Sequence, residues 1–179
     1  MVFQRRLVID ASVARSAGSE HSVFPVSRYC RDVLRTVLQY RHVLVMSSDI
    51  KSEWDKHESG FAKTWRVEMQ NRKLVYMITN EVISELRNAI ASLQVRENER
   101  RAMLKDVRLL EAALATDRRI ISLDDSVRRL FSLSCSSLQD CSDIVWVNPV
   151  KTNEAVCLWL KRGANTDRKR RLGSMVAGG

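Results

Sequence analysis

Five short segments of this chain consist largely of consecutive apolar residues, without the regular alternation of a strand that has one face in water. Strands of this kind are buried on both faces, as they are where helices cover both sides of a parallel sheet. The five predicted strands are Arg6 to Ile9, His42 to Met46, Lys73 to Thr79, Arg119 to Leu123 and Asp143 to Val147. No other property of the sequence limits the choice of fold as strongly.

The segments between these strands place their apolar residues at helical spacing. Ser47 or Ser48 can cap the second of the helices, because a serine hydroxyl accepts hydrogen bonds from free amides of the first turn. The predicted helices are Ser27 to Tyr40, Asp49 to His57, Phe61 to Asn71, Glu81 to Leu93, Glu99 to Thr116 and Val127 to Phe131. The alternation predicts a three-layer α/β/α sandwich around a mostly parallel, five-stranded sheet.

The length of 179 residues predicts one main domain. We place it at residues 1–150, followed by a C-terminal segment at residues 151–179. That segment is amphipathic from Asn153 to Leu160 and then strongly basic, so we expect a solvated, flexible tail. No apolar run approaches the roughly 20 residues of a membrane span, and a cytoplasmic location is expected.

Thirty Lys and Arg residues against 21 Asp and Glu give a net charge of +9, which favours an anionic partner such as nucleic acid. The four cysteines show neither a CxxC pair nor a histidine at zinc-binding spacing. The sequence also lacks the glycine-rich phosphate loops and any recognisable motif of a catalytic triad. Zinc knuckles, P-loop enzymes and triad hydrolases are therefore disfavoured.

Two aspartates directly follow predicted strands. Asp10 ends the run Leu7 to Ile9, and Asp124 follows the run Ile120 to Leu123. In a parallel sheet, ligands bind beyond the carboxyl ends of the strands where the strand order reverses. If the first and fourth strands are neighbours there, the two backbones lie about 5 Å apart and the carboxylates can share a cation.

Two further acids occupy helix faces that the spacing assigns to the protein interior. Glu53 shares a stripe with Ile50 and Trp54, and Asp106 shares one with Met103 and Leu110. A buried carboxylate needs a cation, a hydrogen-bond donor or a proton. Four acids expected at one edge of the sheet predict a site for a divalent cation, and hard oxygen ligands suit Mg²⁺ or Mn²⁺.

Four blocks of the sequence resemble the motifs of PIN-domain nucleases, a family that includes VapC-type toxins. They are Leu7-Val8-Ile9-Asp10-Ala11-Ser12, then Glu53 after the second strand, then the segment from Lys105 to Ala113 around Asp106, then Ile120-Ile121-Ser122-Leu123-Asp124. The resemblance implies a parallel sheet in the order 3-2-1-4-5 and metal-dependent cleavage of RNA. It further implies an antitoxin-like protein partner and a homodimer as possibilities to test.

Carried over by motif, Asp10, Glu53, Asp106 and Asp124 become the catalytic, metal-binding acids. The resemblance adds Asp125 as a helper ligand and the hydroxyls of Ser12 and Ser122 as supporting groups. Lys and Arg residues would hold the RNA through its phosphates. The candidates are Arg15, Arg28, Arg96, Arg100, Arg101, Arg168, Lys169, Arg170 and Arg171.

Some alternatives stay open at this level. Asp55 or Glu58 could take the place of Glu53 in the site. The chain could also be a PIN-like module that binds RNA or protein without cutting. A metal-dependent phosphatase or receiver-type domain is a third hypothesis, although those proteins need a second acid near the first-strand aspartate, where this chain has Ala11, Ser12 and Val13.

Overall fold

A computed structural model describes residues 3–79, 82–138 and 140–178. The strands are β1 (Arg6–Ile9), β2 (Val43–Met46), β3 (Val75–Met77), β4 (Arg119–Ile121) and β5 (Val145–Val147). The helices are α1 (Ala11–Ser16), α2 (Pro25–Gln39), α3 (Ser48–His57), α4 (Gly60–Asn71), α5 (Ser84–Ala91), α6 (Glu97–Leu114), α7 (Asp125–Ser134) and α8 (Val156–Lys161).

The sheet has five strands in the order β3-β2-β1-β4-β5, and every pairing in it is parallel. The predicted three-layer α/β/α fold and strand order are confirmed. Val8 pairs with Ile120 and Ile9 with Ile121, so β1 and β4 are neighbours and end at the same level. The amide of Asp10 continues this pairing by donating to the carbonyl of Ile121 at 2.9 Å.

Helices bury both faces of the central strands, which explains the unbroken apolar runs. Leu7, Val8 and Ile9 are fully buried, although their side chains alternate between the two faces. Trp54 of α3 is also fully buried, and its indole N–H donates to the carbonyl of Ile9 at 2.9 Å. This hydrogen bond ties α3 to the end of β1, directly before Asp10.

The helices depart from the prediction in two places. Helix α1 was not predicted, because its six residues are too few to display a period. Helix α5 begins at Ser84, and the predicted start at Glu81 lies outside the described residues. Ser47 is the residue that caps α3, where its hydroxyl accepts from the amide of Ile50 at 3.3 Å. Within the described ranges, no helix is both long and apolar enough to cross a membrane.

The C-terminal segment packs against the domain, in contrast to the flexible tail that we predicted. Arg171 forms an isolated antiparallel bridge with Val145, and Leu172 is fully buried. The carbonyl of Leu172 accepts from the hydroxyl of Ser132 at 2.7 Å. The reason is that apolar residues among the cations, such as Leu172, pack into the core. The charge pattern of the segment did not indicate this packing.

Candidate metal centre

Asp10 lies at the carboxyl end of β1, where two serines fix its side chain. The Ser12 hydroxyl donates to Oδ2 of Asp10 at 2.5 Å, and the Ser122 hydroxyl donates to the same oxygen at 3.1 Å. Both hydroxyls also accept backbone amides, Ser12 from Leu123 and Ser122 from Asp124. The end of β1 and the loop after β4 are thus joined around one carboxylate.

Asp124 follows β4 and caps helix α7. Its Oδ1 accepts from the amide of Val127 at 2.9 Å, as a helix-capping aspartate does. A carboxylate has two oxygens, so this bond is compatible with a cation at the second one. The capping bond also fixes the rotamer of Asp124 beside Asp10.

Asp106 reaches the same place from the middle of α6. Its side chain is 13% exposed. Burial raises the pKa of Asp106 to about 6, and the charges of Asp10 and Asp124 contribute in the same direction, against the opposing effect of Arg108. A buried carboxylate beside two others forms a site where a divalent cation is electrostatically favoured.

Glu53 on α3 completes the set of acids, but basic side chains surround it. It lies 3.4 Å from Lys56, 3.7 Å from His57 and 4.0 Å from Arg108. Partial burial raises the pKa of Glu53, but the nearby cations, Arg108 above all, outweigh it and hold the pKa below its ordinary range. Glu53 is therefore an ionised carboxylate with cationic neighbours.

The two alternatives to Glu53 point elsewhere. Asp55 pairs with Lys51 at 2.6 Å and with Arg66 at 2.7 Å, and Glu58 pairs with the same Arg66 at 2.7 Å. Neither lines the pocket that contains Glu53. Of the three acids considered for this position, Glu53 is the one that the fold brings to Asp10.

All four predicted acids line one open pocket of about 210 Å³ at the carboxyl ends of β1 and β4. They come from the end of β1, from α3, from α6 and from the residue before α7. The residues that line this acidic pocket are Asp10, Ala11, Ser12, Arg15, Glu53, His57, Lys105, Asp106, Arg108 and Asp124.

No family model matches the chain, and no curated protein or solved structure matches it.

The chemistry of the donors fits a hard divalent cation, but the side chains do not form a coordination shell as they stand. In the part of the chain that the structure describes, no group of three or more His, Cys, Asp and Glu side chains is arranged to hold a metal ion. The guanidinium of Arg108 is instead shared by two of the acids, at 4.0 Å from Glu53 and 3.7 Å from Asp106. Binding of a metal ion would therefore require Arg108 to give way.

The predicted helper ligand Asp125 does not belong to the pocket. It pairs with Lys151 at 2.8 Å and with Arg128 at 3.4 Å. Burial raises the pKa of Asp125, but hydrogen bonds from Lys151 and Asn148 outweigh it and hold the pKa below its ordinary range. Asp125, the first residue of α7, points away from Asp124, its N-cap residue. The two adjacent aspartates therefore have different surroundings.

Most of the predicted RNA-binding cations lie outside the pocket. Arg15 lines it, whereas Arg28 lies near Asp32 on α2 and Arg100 pairs with Glu97 at the start of α6. Arg96 directly precedes α6, and Arg101 is an exposed residue of its first half. None of these four contributes to the pocket lining.

The C-terminal basic cluster, Arg168 to Arg171, is at the opposite end of the sheet. Arg171 pairs with Val145, the first residue of β5, whereas the acids follow the last residues of β1 and β4. Arg170 is buried, and its guanidinium lies 5.7 Å from the ring centre of Trp159. This cluster therefore lies away from the acids, because the chain returns to the amino ends of the strands.

Three basic pocket residues, His57, Lys105 and Arg108, were missed as site residues from the sequence. Lys105 and Arg108 flank Asp106 on α6, and His57 is one turn after Glu53 on α3. A search for cations within one helical turn of each candidate acid would have found all three.

Proposed function

We propose that this protein is a metal-dependent ribonuclease that hydrolyses phosphodiester bonds of RNA at the acidic pocket. The observation that carries the proposal is the convergence of Asp10, Glu53, Asp106 and Asp124 on one open pocket with basic walls. The acids would hold Mg²⁺ or Mn²⁺, and the walls would hold the phosphate that is to be cut.

Each residue group has a distinct task in this proposal. Asp10, fixed by two serine hydroxyls, and Asp124, fixed by its capping bond, would present carboxylate oxygens in set orientations. The ionised form of Asp106 is now disfavoured by burial and by the charges of Asp10 and Asp124. With a cation bound, Asp106 would ionise and contribute a further negative charge to the site. When bound, the cation would polarise the phosphodiester and lower the pKa of a water molecule.

The basic residues of the pocket would orient the RNA and balance its charge. Arg15, Lys105 and Arg108 lie in the same lining as the acids, so a phosphate at the pocket mouth meets guanidinium and ammonium donors on more than one side. Arg108 now forms ion pairs with both Glu53 and Asp106. Arg108 would turn from these acids to the RNA phosphate when a metal cation replaces it as their partner.

A second candidate function is an RNA-binding module that does not cut. The ion pairs of Arg108 with Glu53 and Asp106 favour it, because they give two of the four acids a cationic partner without any metal. A toxin role, an antitoxin-like partner and a homodimer belong to the proposal through the resemblance to PIN-domain nucleases, and a cytoplasmic location is proposed with them. They require a direct test of partners in addition to activity.

Cleavage assays separate the two candidates. The protein is incubated with single-stranded and structured RNAs in Mn²⁺ or Mg²⁺, with EDTA, and as the variants Asp10→Asn and Asp125→Asn. We expect cleavage only with a cation, a loss of at least about 100-fold in Asp10→Asn, and activity within about twofold of the wild type in Asp125→Asn. Cleavage that survives EDTA or Asp10→Asn would contradict the ribonuclease proposal, and RNA binding without cleavage would favour the second candidate.

A further inference from the structure

The amino ends of the five strands carry a row of basic residues at the end of the sheet opposite the acidic pocket. A cation begins or closely precedes each of the first four strands, and Arg171 bridges to the first residue of β5. We name this set the amino-end row. It consists of Arg5, Arg6, Arg41, Lys73, Arg118 and Arg171.

The strand order turns these scattered positions into a line. Reading across the sheet from β3 to β5, the order is Lys73, Arg41, the pair Arg5 and Arg6, then Arg118 and Arg171. Neighbouring strands are about 4.8 Å apart, so the row extends over roughly 20 Å. Positions far apart in sequence thus form one continuous basic edge.

Three members of the row occupy backbone positions that a lysine or arginine rarely takes. Arg41, Lys73 and Arg118 have φ angles of 56°, 57° and 60°, in the left-handed region that glycine and asparagine adopt more readily. The turns before β2, β3 and β4 therefore carry a long cationic side chain where the backbone alone would favour a smaller residue. The turn geometry does not explain these three cations.

Few acids balance the row. The carboxylate of Asp117 accepts from the backbone amide of Arg6 at 2.9 Å, and Asp143 pairs with Arg171 at 3.2 Å. Arg118 donates to a carbonyl oxygen, that of Asp140, at 3.1 Å. The edge keeps an excess of positive charge, which an extended anionic polymer would match.

Two exposed aromatic rings lie beside the row, and they indicate which kind of anionic polymer could bind there. The guanidinium of Arg6 lies 4.2 Å from the ring centre of Tyr76, and that of Arg5 lies 5.6 Å from the ring centre of Phe3. The two aromatic residues are 41% and 54% exposed. Exposed rings next to arginines are stacking surfaces for unpaired bases. An acidic protein has no bases, and a duplex keeps its bases stacked inside, so a single-stranded nucleic acid fits this surface best.

We propose that the amino-end row, together with Phe3 and Tyr76, binds single-stranded RNA. The choice of RNA over DNA rests on the proposed ribonuclease function, whereas the preference for a single strand rests on the exposed rings. An RNA held here lies on the far side of the sheet from the acidic pocket. Its affinity should therefore be independent of the acids and of any metal ion.

The test measures RNA binding in EDTA, where no cleavage is needed. Anisotropy of a labelled, unstructured RNA of roughly 20 nucleotides is followed over a range of salt concentrations. The main variant combines Arg41→Asn, Lys73→Asn and Arg118→Asn, since asparagine suits the left-handed backbone and should preserve the fold. Its control combines Lys51→Gln, Lys63→Gln and Arg129→Gln, three exposed cations of the surrounding helices.

We expect the main variant to bind RNA about tenfold or more weakly, with a log–log salt slope smaller in magnitude by about 2, because each phosphate contact in single strands contributes about 0.7. The control should keep the wild-type slope. A second variant, Phe3→Leu with Tyr76→Leu, should weaken binding with little change in slope, because it removes stacking and leaves the charge.

Three results would overturn the proposal. They are an unchanged affinity and slope in the main variant, an equal loss in the control variant, and tighter binding of DNA or polyglutamate than of RNA. RNA binding is followed in EDTA, whereas the proposed ribonuclease function is tested by cleavage in Mn²⁺ or Mg²⁺. Failure of cleavage and failure of this surface are therefore measured separately.

Discussion

Removing the charge of Asp106 should stabilise the protein while it abolishes cleavage. The pKa of Asp106 rises from 3.8 to about 6, mainly through burial and then through Asp10. An increase of this size corresponds to about 3 kcal/mol of unfavourable free energy for the ionised form. Asn has nearly the same shape without the charge, so Asp106→Asn should raise the free energy of unfolding by about 2–3 kcal/mol near pH 7.5.

The pH dependence of this effect has a definite sign. The pKa of Asp106 is higher in the folded protein than in the unfolded chain, so the folded state binds more protons between the two values. The destabilisation is absent below about pH 4 and complete above about pH 6. The wild type should therefore lose stability relative to Asp106→Asn as the pH rises through this window.

Thermal unfolding in EDTA measures the difference. For a chain of this size, 1 kcal/mol changes the melting temperature by about 2–4 °C, so the variant should melt roughly 5–10 °C higher near pH 7.5. Near pH 4 the two proteins should melt together. Added Mn²⁺ should stabilise the wild type, since it binds the folded state, and should have a smaller effect on the variant.

The matched control is Asp32→Asn, which removes an aspartate from a half-exposed position in the middle of α2. Asp32 lies 3.9 Å from Arg28 and 3.6 Å from Arg35, and it is 44% exposed. Its loss should change stability by no more than about 0.5 kcal/mol, at either pH. Equal melting temperatures of the wild type and Asp106→Asn near pH 7.5, or a gap that persists near pH 4, would refute the electrostatic argument.

Two further predictions concern the groups that position the acids. The double variant Ser12→Ala with Ser122→Ala removes both hydroxyl donors to Asp10 and should reduce cleavage about 10- to 100-fold in initial-rate assays, with Ser126→Ala as an exposed control. Unchanged rates would show that the hydroxyls do not orient the carboxylate. Trp54→Phe removes the hydrogen bond to the Ile9 carbonyl and leaves a gap in the core, so urea unfolding should give a loss of about 2–3 kcal/mol. A loss under about 0.5 kcal/mol would contradict that role.

The fold and the acids were predictable from local patterns. Leu7, Val8 and Ile9 form an unbroken apolar run because both faces of β1 are covered, and Asp10 is conspicuous because it ends that run. Asp106 is conspicuous in the same way, as an acid on the buried stripe of α6. These signals depend on one element at a time, so they are present in the sequence.

The surroundings of the acids were not predictable in this way. Arg108 meets Glu53 through the packing of α3 and α6, and the sequence separates the two residues by more than 50 positions. Asp125 and Asp124 are adjacent in sequence, but the start of α7 directs one to Lys151 and the other to the acidic pocket. Such contacts depend on rotamers and on the relative placement of helices.

The sequence by itself determined the α/β/α sandwich and the positions of the four acids, because hydrophobic periodicity encodes burial along each element. Only the tertiary structure decided which basic residues lie in the acidic pocket and which lie in the amino-end row at the opposite end of the sheet. The strand order brings Lys73, Arg41 and Arg118 into one row, and the C-terminal chain carries Arg171 to its end. Basic residues that are far apart in sequence form one continuous surface only when strand pairing brings them close together.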